Sequence, residues 1–260
     1  MSLHPGAWLL WALCAGLVAM STTNPFYLGP LAAVAWVVYE ARALDAPAPR
    51  SFRAFVAFGV AALLVRTALV VLGPLSSSAV AIAALEGLRL AVLLAVFGAF
   101  NSVTDPHRLL KLAPRRAHEP ALAAVLALSI APRYVEAAAR VRDAQRMRGI
   151  DVRPWRSLPA LAVPVLETGM EEALSLAESM DARGHGRGPR SRYRPDRFGP
   201  GSIATAATSA AAAAVFLGAD RAAADIVVSV FPLRWPDASW VHVASVLALA
   251  APAVLPRRLR

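Results

Sequence analysis

The feature that most constrains this chain is the grouping of its apolar residues into long blocks. Such runs occupy residues 6–22, 25–39 (extendable to 44), 54–73, 79–103, 202–218 and 240–255. A helix crossing a bilayer needs about 20 predominantly apolar residues, somewhat fewer or more with tilt. In lipid the backbone must satisfy its own hydrogen bonds, and a single apolar segment can do that only as a helix. The blocks therefore predict an all-α polytopic membrane protein of about six transmembrane helices. Composition agrees: 57% of the 260 residues are hydrophobic and only 17% charged, against about a quarter charged in globular proteins.

The first block follows Met1-Ser2-Leu3-His4, which carries no Lys or Arg. A cleaved signal would have a basic leader, so a retained first span is expected. Ser21-Thr22-Thr23-Asn24-Pro25 has turn chemistry, and Gly73-Pro74 with its serine run forms another uncharged turn. Charge changes abruptly after Val103. Residues 105–200 hold 17 Lys or Arg and 11 Asp or Glu, interrupted by two short apolar stretches at 120–132 and 158–166. Both stretches read as buried or interfacial helices too short to cross alone. Three parts follow: N-terminal transmembrane helices in 1–104, a charged segment in 105–200, and C-terminal transmembrane helices in 201–260. Most arginines lie in segments 40–53, 105–200 and 257–260. Basic loops stay in the cytoplasm, which places these three segments and both termini inside, at a plasma membrane.

Several function classes are set aside. The single Cys14 lies in an apolar run and allows neither an internal disulfide nor a cysteine metal cluster. The net charge of +10 could suggest nucleic acid, but 26 of the 27 basic residues are Arg beside apolar blocks. That is the pattern of span-flanking charge rather than of a nucleic-acid groove. A phosphate-binding loop needs Gly-Lys-Ser/Thr, and the sole lysine, Lys111, stands between two leucines. The glycine-rich Gly184-His185-Gly186-Arg187-Gly188 lacks it too, and reads as a flexible exit from a helix. An intramembrane enzyme is a rival reading, because charges inside spans are costly and usually functional. Arg66, Glu86 and Arg89 are such charges. Glu86 and Arg89, at i and i+3, share a helix face where they can neutralise each other, giving an internal ion pair or part of a partner-binding surface. Neither a His-Glu-x-x-His pair nor a Gly-x-Ser-x-Gly elbow occurs, and the five histidines lack ligand spacing. No catalytic residue, metal site or cofactor is expected.

The charged segment carries two helical patterns. From Pro132 to Gly149, Tyr134, Ala137, Ala138, Val141, Ala144 and Met147 form an apolar stripe beside a charged one. From Pro164 to Gly184, Leu166, Met170, Ala173, Ala177 and Met180 repeat with the same period. A proline is expected to start each helix. Each ends in Arg-Gly: Arg148-Gly149 and, 35 residues on, Ala182-Arg183-Gly184. Ordinary helix termination accounts for much of this. Glycine is favoured just past a helix, and arginine suits the negative end of the dipole by about 0.3–1 kcal/mol. A docking surface is the alternative, since a guanidinium can fork onto carbonyls or carboxylates in a groove.

Ala144-Gln145-Arg146-Met147-Arg148-Gly149-Ile150-Asp151 and Ala177-Glu178-Ser179-Met180-Asp181-Ala182-Arg183-Gly184 resemble the paired Ala-Arg-Gly signatures of the transmembrane T component of energy-coupling factor transporters, the EcfT/CbiQ family. Leu3-His4-Pro5 with Asn24-Pro25 resembles that family's opening, Thr104-Asp105-Pro106 through Leu109 its membrane exit, and Arg190-Ser191-Arg192-Tyr193-Arg194 its basic tail. The resemblance spans most of residues 3–194. It implies a non-catalytic coupling subunit of an ATP-driven importer of a vitamin or a transition-metal ion. Its implied partners are two cytoplasmic ABC ATPase subunits, a small substrate-binding membrane protein (the S component) and the lipid bilayer, with no nucleic acid. Arg148, Gly149, Ala182, Arg183 and Gly184 would form the ATPase-coupling ends of two cytoplasmic amphipathic coupling helices. The first signature departs from the pattern with Met147 in place of Ala, so the docking role is carried to Arg148 and Arg183 alone. A conventional ABC permease lining its own substrate path is a third reading, with a single coupling helix per subunit.

Overall fold

The computed structural model describes residues 3–42, 49–72, 77–149, 158–185, 187, 198–219, 226–228 and 236–254, and these residues are helical apart from turns and short irregular connections. In chain order the helices are α1 (Pro5–Ser21), α2 (Pro25–Arg42), α3 (Pro49–Val71), α4 (Ser77–Val103), the short α5 (Pro106–Leu110), α6 (His118–Met147), α7 (Leu158–Ala182), α8 (Pro200–Gly218), α9 (Trp240–Ala248) and α10 (Ala251–Val254). The chain is an all-α polytopic membrane protein. Segments within α3, α4, α6 and α8 are long and apolar enough to cross a membrane by length and composition, and α1 is a shorter apolar helix. Helix α2 has a proline, Pro30, inside it and ends in Glu40 and Arg42, which lowers its hydropathy.

Two compact units form, one from residues 1–109 and 196–260, the other from residues 110–195. In the first, one apolar core joins the start and the end of the chain: Trp11, Val18, Tyr27, Leu28, Leu31, Val96, Phe216 and Leu249 are essentially inaccessible to solvent. The Ser21–Pro25 turn is more than a reversal. Asn24 caps α2 by accepting the amide of Phe26 at 2.9 Å, while Pro25 supplies a preset φ at the first helical position. The same turn grips the segment before α9. The Thr22 hydroxyl donates to the Ile226 carbonyl at 2.7 Å, the Val228 amide to the Thr23 hydroxyl at 3.1 Å, and the Asn24 amide side chain to the Asp237 carbonyl at 2.8 Å. Further along, the Trp11 indole donates to the Leu249 carbonyl at 2.9 Å. Arg42 is buried at the end of α2, where its guanidinium forks onto the Pro252 carbonyl at 2.6 and 3.2 Å.

Two expected boundaries differ. The apolar stretches at 120–132 and 158–166 are not separate helices: each runs on into the amphipathic helix after it, giving 30-residue α6 and 25-residue α7 with Pro132 and Pro164 inside. An internal proline removes one backbone bond and crowds the preceding turn, but the Ala- and Leu-rich residues before it favour the helix strongly enough to continue. Conversely, the last apolar run breaks into α9 and α10. Pro252, the second residue of α10, would crowd the Ala248 carbonyl in a continuous helix.

Helices α3 and α4 pack through small residues. A β-carbon on Gly59 would lie 2.9 Å from the Ala91 Cα and one on Gly87 would lie 3.0 Å from the Leu63 Cα. The pairs are antiparallel and four residues apart on both helices, the small-residue seam by which membrane helices approach closely without a hydrophobic driving force.

Candidate functional site

The second unit is built on α6 and α7, which touch where Tyr134 of α6 lies against Gly169, the one glycine within α7: a β-carbon there would sit 2.6 Å from the tyrosine hydroxyl. Arg148 follows Tyr134 by 14 residues, and Arg183 follows Gly169 by 14. At 1.5 Å per residue each arginine stands about 21 Å along its helix from that contact.

Both helix ends close the same way. Gly149 and Gly184 have φ of 74°, a conformation that costs glycine little and other residues more. The Gly149 amide donates to the Arg146 carbonyl at 3.0 Å and the Gly184 amide to the Asp181 carbonyl at 2.8 Å. At the second end the His185 amide also reaches back to the Met180 carbonyl at 2.9 Å, completing the 6→1 and 5→2 pattern of a Schellman motif. Ile150 and Asp151 of the first signature lie outside the described residues, as do Gly186, Gly188 and the basic tail at 190–194.

Backbone amides and glycines thus terminate the helices, and the arginine side chains take no part. Arg148, Ala182 and Arg183 are exposed. Among the described residues neither guanidinium makes an ion pair or hydrogen bond. Their neighbours differ: Arg146 faces Asp143 at 3.9 Å and Arg187 faces Asp181 at 3.3 Å. Each helix end therefore presents one unpaired planar cation beyond its last turn. Met147 is exposed beside the first. The apolar stripe of α7 is likewise open: Val163, Leu166, Met170 and Leu174, spaced three or four residues apart, are 60–67% exposed.

The intramembrane charges are arranged otherwise than their spacing along the helix suggests. Glu86 pairs with Arg66 on α3, not with Arg89 on its own helix. The pair bridges the close seam between α3 and α4 instead of running along α4. Sequence reasoning also missed the Tyr134–Gly169 contact and the buried Arg42, whose partner lies 210 residues away. No local pattern signals a contact at that separation.

The fold and the candidate site thus define an all-α polytopic membrane protein with two matched, glycine-capped and arginine-tipped helices. The chain belongs to the CbiQ cobalt transport protein family, which matches residues 2–193. Among curated proteins none matches the chain.

Proposed function

We propose that this protein is the coupling subunit of an ATP-driven, energy-coupling-factor-type importer of cobalt, another transition-metal ion or a vitamin. In this reading residues 105–200 and both termini face the cytoplasm at the plasma membrane. Arg148 and Arg183 each insert into a surface groove of a cytoplasmic ABC ATPase, with Gly149, Ala182 and Gly184 allowing close approach. A small substrate-binding membrane protein docks separately. When the ATPases close on ATP they draw the two helix ends together. That rigid-body motion about an interface is passed to the substrate-binding protein. The chain has no phosphate-binding loop of its own, so hydrolysis belongs to the partners. Although α6 reaches the length and mean hydropathy of a span, we place it in the cytoplasm because its apolar residues are confined to 120–132, about 20 Å of helix against a hydrocarbon core of about 30 Å, and Arg133, Glu136, Arg140, Arg142, Asp143 and Arg146 follow.

The observation that carries this reading is the pair of exposed, unpaired guanidinium groups at equal distances from one helix–helix contact. If they served only the helix dipole, Arg→Ala would cost at most about 1 kcal/mol of local stability and leave assembly intact. Truncating a charge buried in an interface typically costs about 2–5 kcal/mol, a loss of roughly 30-fold to several thousand-fold in affinity. Co-purification of the tagged protein with its ATPases measures this. Arg148→Ala and Arg183→Ala should each weaken recovery, the double variant should abolish it, and Arg→Lys should rescue poorly because an ammonium lacks the fork. Undiminished recovery from the double variant would reduce both residues to helix ends.

A further inference from the structure

Helix α3 packs on α4 and is otherwise nearly uncovered. Three charges stand on this hairpin, each at least partly exposed. The Arg66–Glu86 pair leaves its side chains 46% and 41% exposed. Arg89, one turn beyond Glu86, makes no ion pair or hydrogen bond among the described residues. Glu86, Leu90, Leu93 and Phe97 recur at three or four residues on one side of α4, with Arg89 adjoining Leu90; Leu90 and Phe97 are exposed, while Leu93 is partly buried against the core. The patch therefore carries one net positive charge on an apolar stripe.

Depth makes that charge informative. Arg89 lies 12 residues from the start of the 27-residue α4, so about 18 Å of helix separate it from one end and about 21 Å from the other. Snorkelling serves Lys and Arg near helix ends, and neither surface is within reach here. An unpaired guanidinium at the middle of a span is among the costliest groups to leave facing hydrocarbon. Lipid phosphate lies too far away. A second copy of this chain would bring another excess positive charge to the same place.

We propose that the α3–α4 face is a docking surface for a transmembrane helix of a partner membrane protein that carries a single Asp or Glu near mid-membrane. The carboxylate pairs with Arg89, with the Arg66–Glu86 pair beside it, and Leu90 and Phe97 pack on the flanking apolar side chains. A charge-assisted, two-pronged bond of this kind is both strong and directional. The assignment rests on the reading of the chain as a subunit that works beside a separate membrane protein, and adds where such a partner sits and what it must contain.

The test uses the full-length chain, Cys14→Ser with Leu72→Cys bearing a dye, in phosphatidylcholine vesicles at pH 8. Synthetic Leu/Ala transmembrane peptides carry one central Asp, Asn or Leu, and energy transfer reports association. The Asp peptide should bind at least tenfold more tightly than the Leu peptide, with Asn close to Leu. Arg89→Leu should abolish the difference, and Arg89→Glu should transfer the preference to a peptide with a central Lys. Both variants are checked for helical content, and Arg89→Leu removes a charge from the middle of a span and so favours insertion. Equal binding of the Asp and Leu peptides, or a preference that survives Arg89→Leu, would overturn the proposal. So would Arg89-dependent energy transfer between protein copies without peptide, which identifies a second copy as occupant. Loss of the Asp preference on adding phosphatidylglycerol identifies lipid phosphate, and overturns it as well. No ATPase is present, so failure here leaves the Arg148 and Arg183 result untouched, and the converse holds.

Discussion

Gly59, Gly169 and Gly29 look alike in the sequence and differ completely in what a methyl group would meet. At Gly59 the obstacles are the Ala91 Cα at 2.9 Å and its carbonyl oxygen at 3.1 Å, and backbone atoms cannot swing away. At Gly169 the obstacle is the end of the Tyr134 side chain, which is 38% exposed and can rotate. At Gly29 nothing lies within 4 Å. Overpacking a fitted contact costs about 1–3 kcal/mol, whereas Gly→Ala in an open helix position gains up to about 1 kcal/mol of propensity. Gly59→Ala should therefore lower the thermal unfolding midpoint in detergent, Gly59→Leu should lower it further, and Gly29→Ala should leave it unchanged or raise it. Equal midpoints for Gly59→Leu and the parent would mean the α3–α4 seam is not a close contact. Gly149 and Gly184 were legible as helix ends because the information is local: a charged last turn, then a residue that tolerates positive φ. The role of Gly59 depends on a helix some 30 residues away, and nothing near it in the sequence marks it. Glu86 shows the same limit, its local partner Arg89 losing to Arg66 across the seam.

Among the elements, the long helices were legible because apolar blocks and three-to-four-residue spacing are strong signals. Their ends were less so wherever proline intervened. Pro132 and Pro164 suggest helix starts, yet both lie inside helices, while Pro252 does coincide with a break. Ala- and Leu-rich residues precede all three prolines; the difference follows them, long amphipathic stretches continuing after Pro132 and Pro164 while α10 ends two residues after Pro252. The pairing of α6 with α7 leads to a prediction of its own. Gly169→Ala should be tolerated because Tyr134 can turn aside. Gly169→Leu should wedge the helices apart while leaving Arg148 and Arg183 free to bind. In vesicles containing the whole transporter, Gly169→Leu should retain ATPase recovery and hydrolysis but lose at least tenfold in substrate uptake per ATP. Loss of ATPase binding instead would mean that the contact shapes the helix ends rather than linking their movements.

For the whole molecule, the distribution of charge yields a prediction about sidedness. Residues 105–200 hold 17 of the 27 basic residues, and basic segments are retained inside. Single cysteines at Arg116, Arg156 and Arg190, in a chain without Cys14, should resist an impermeant thiol reagent in intact cells and react after the membrane is opened. Labelling from outside would invert the orientation proposed here. The grip of the first turn on the last helices has a consequence in time. Thr22, Trp11 and Arg42 find their partners at Ile226, Leu249 and Pro252, some 200 to 240 residues later. At a synthesis rate of about 5–20 residues per second, α1 and α2 wait roughly 10–40 s in the bilayer with those polar groups unmet. The nascent chain is thus an open ring for most of its synthesis, closed only when the segment from Ile226 to Pro252 leaves the ribosome, and for that interval its hydroxyls, indole and guanidinium must be held by water, lipid headgroups or an insertion factor.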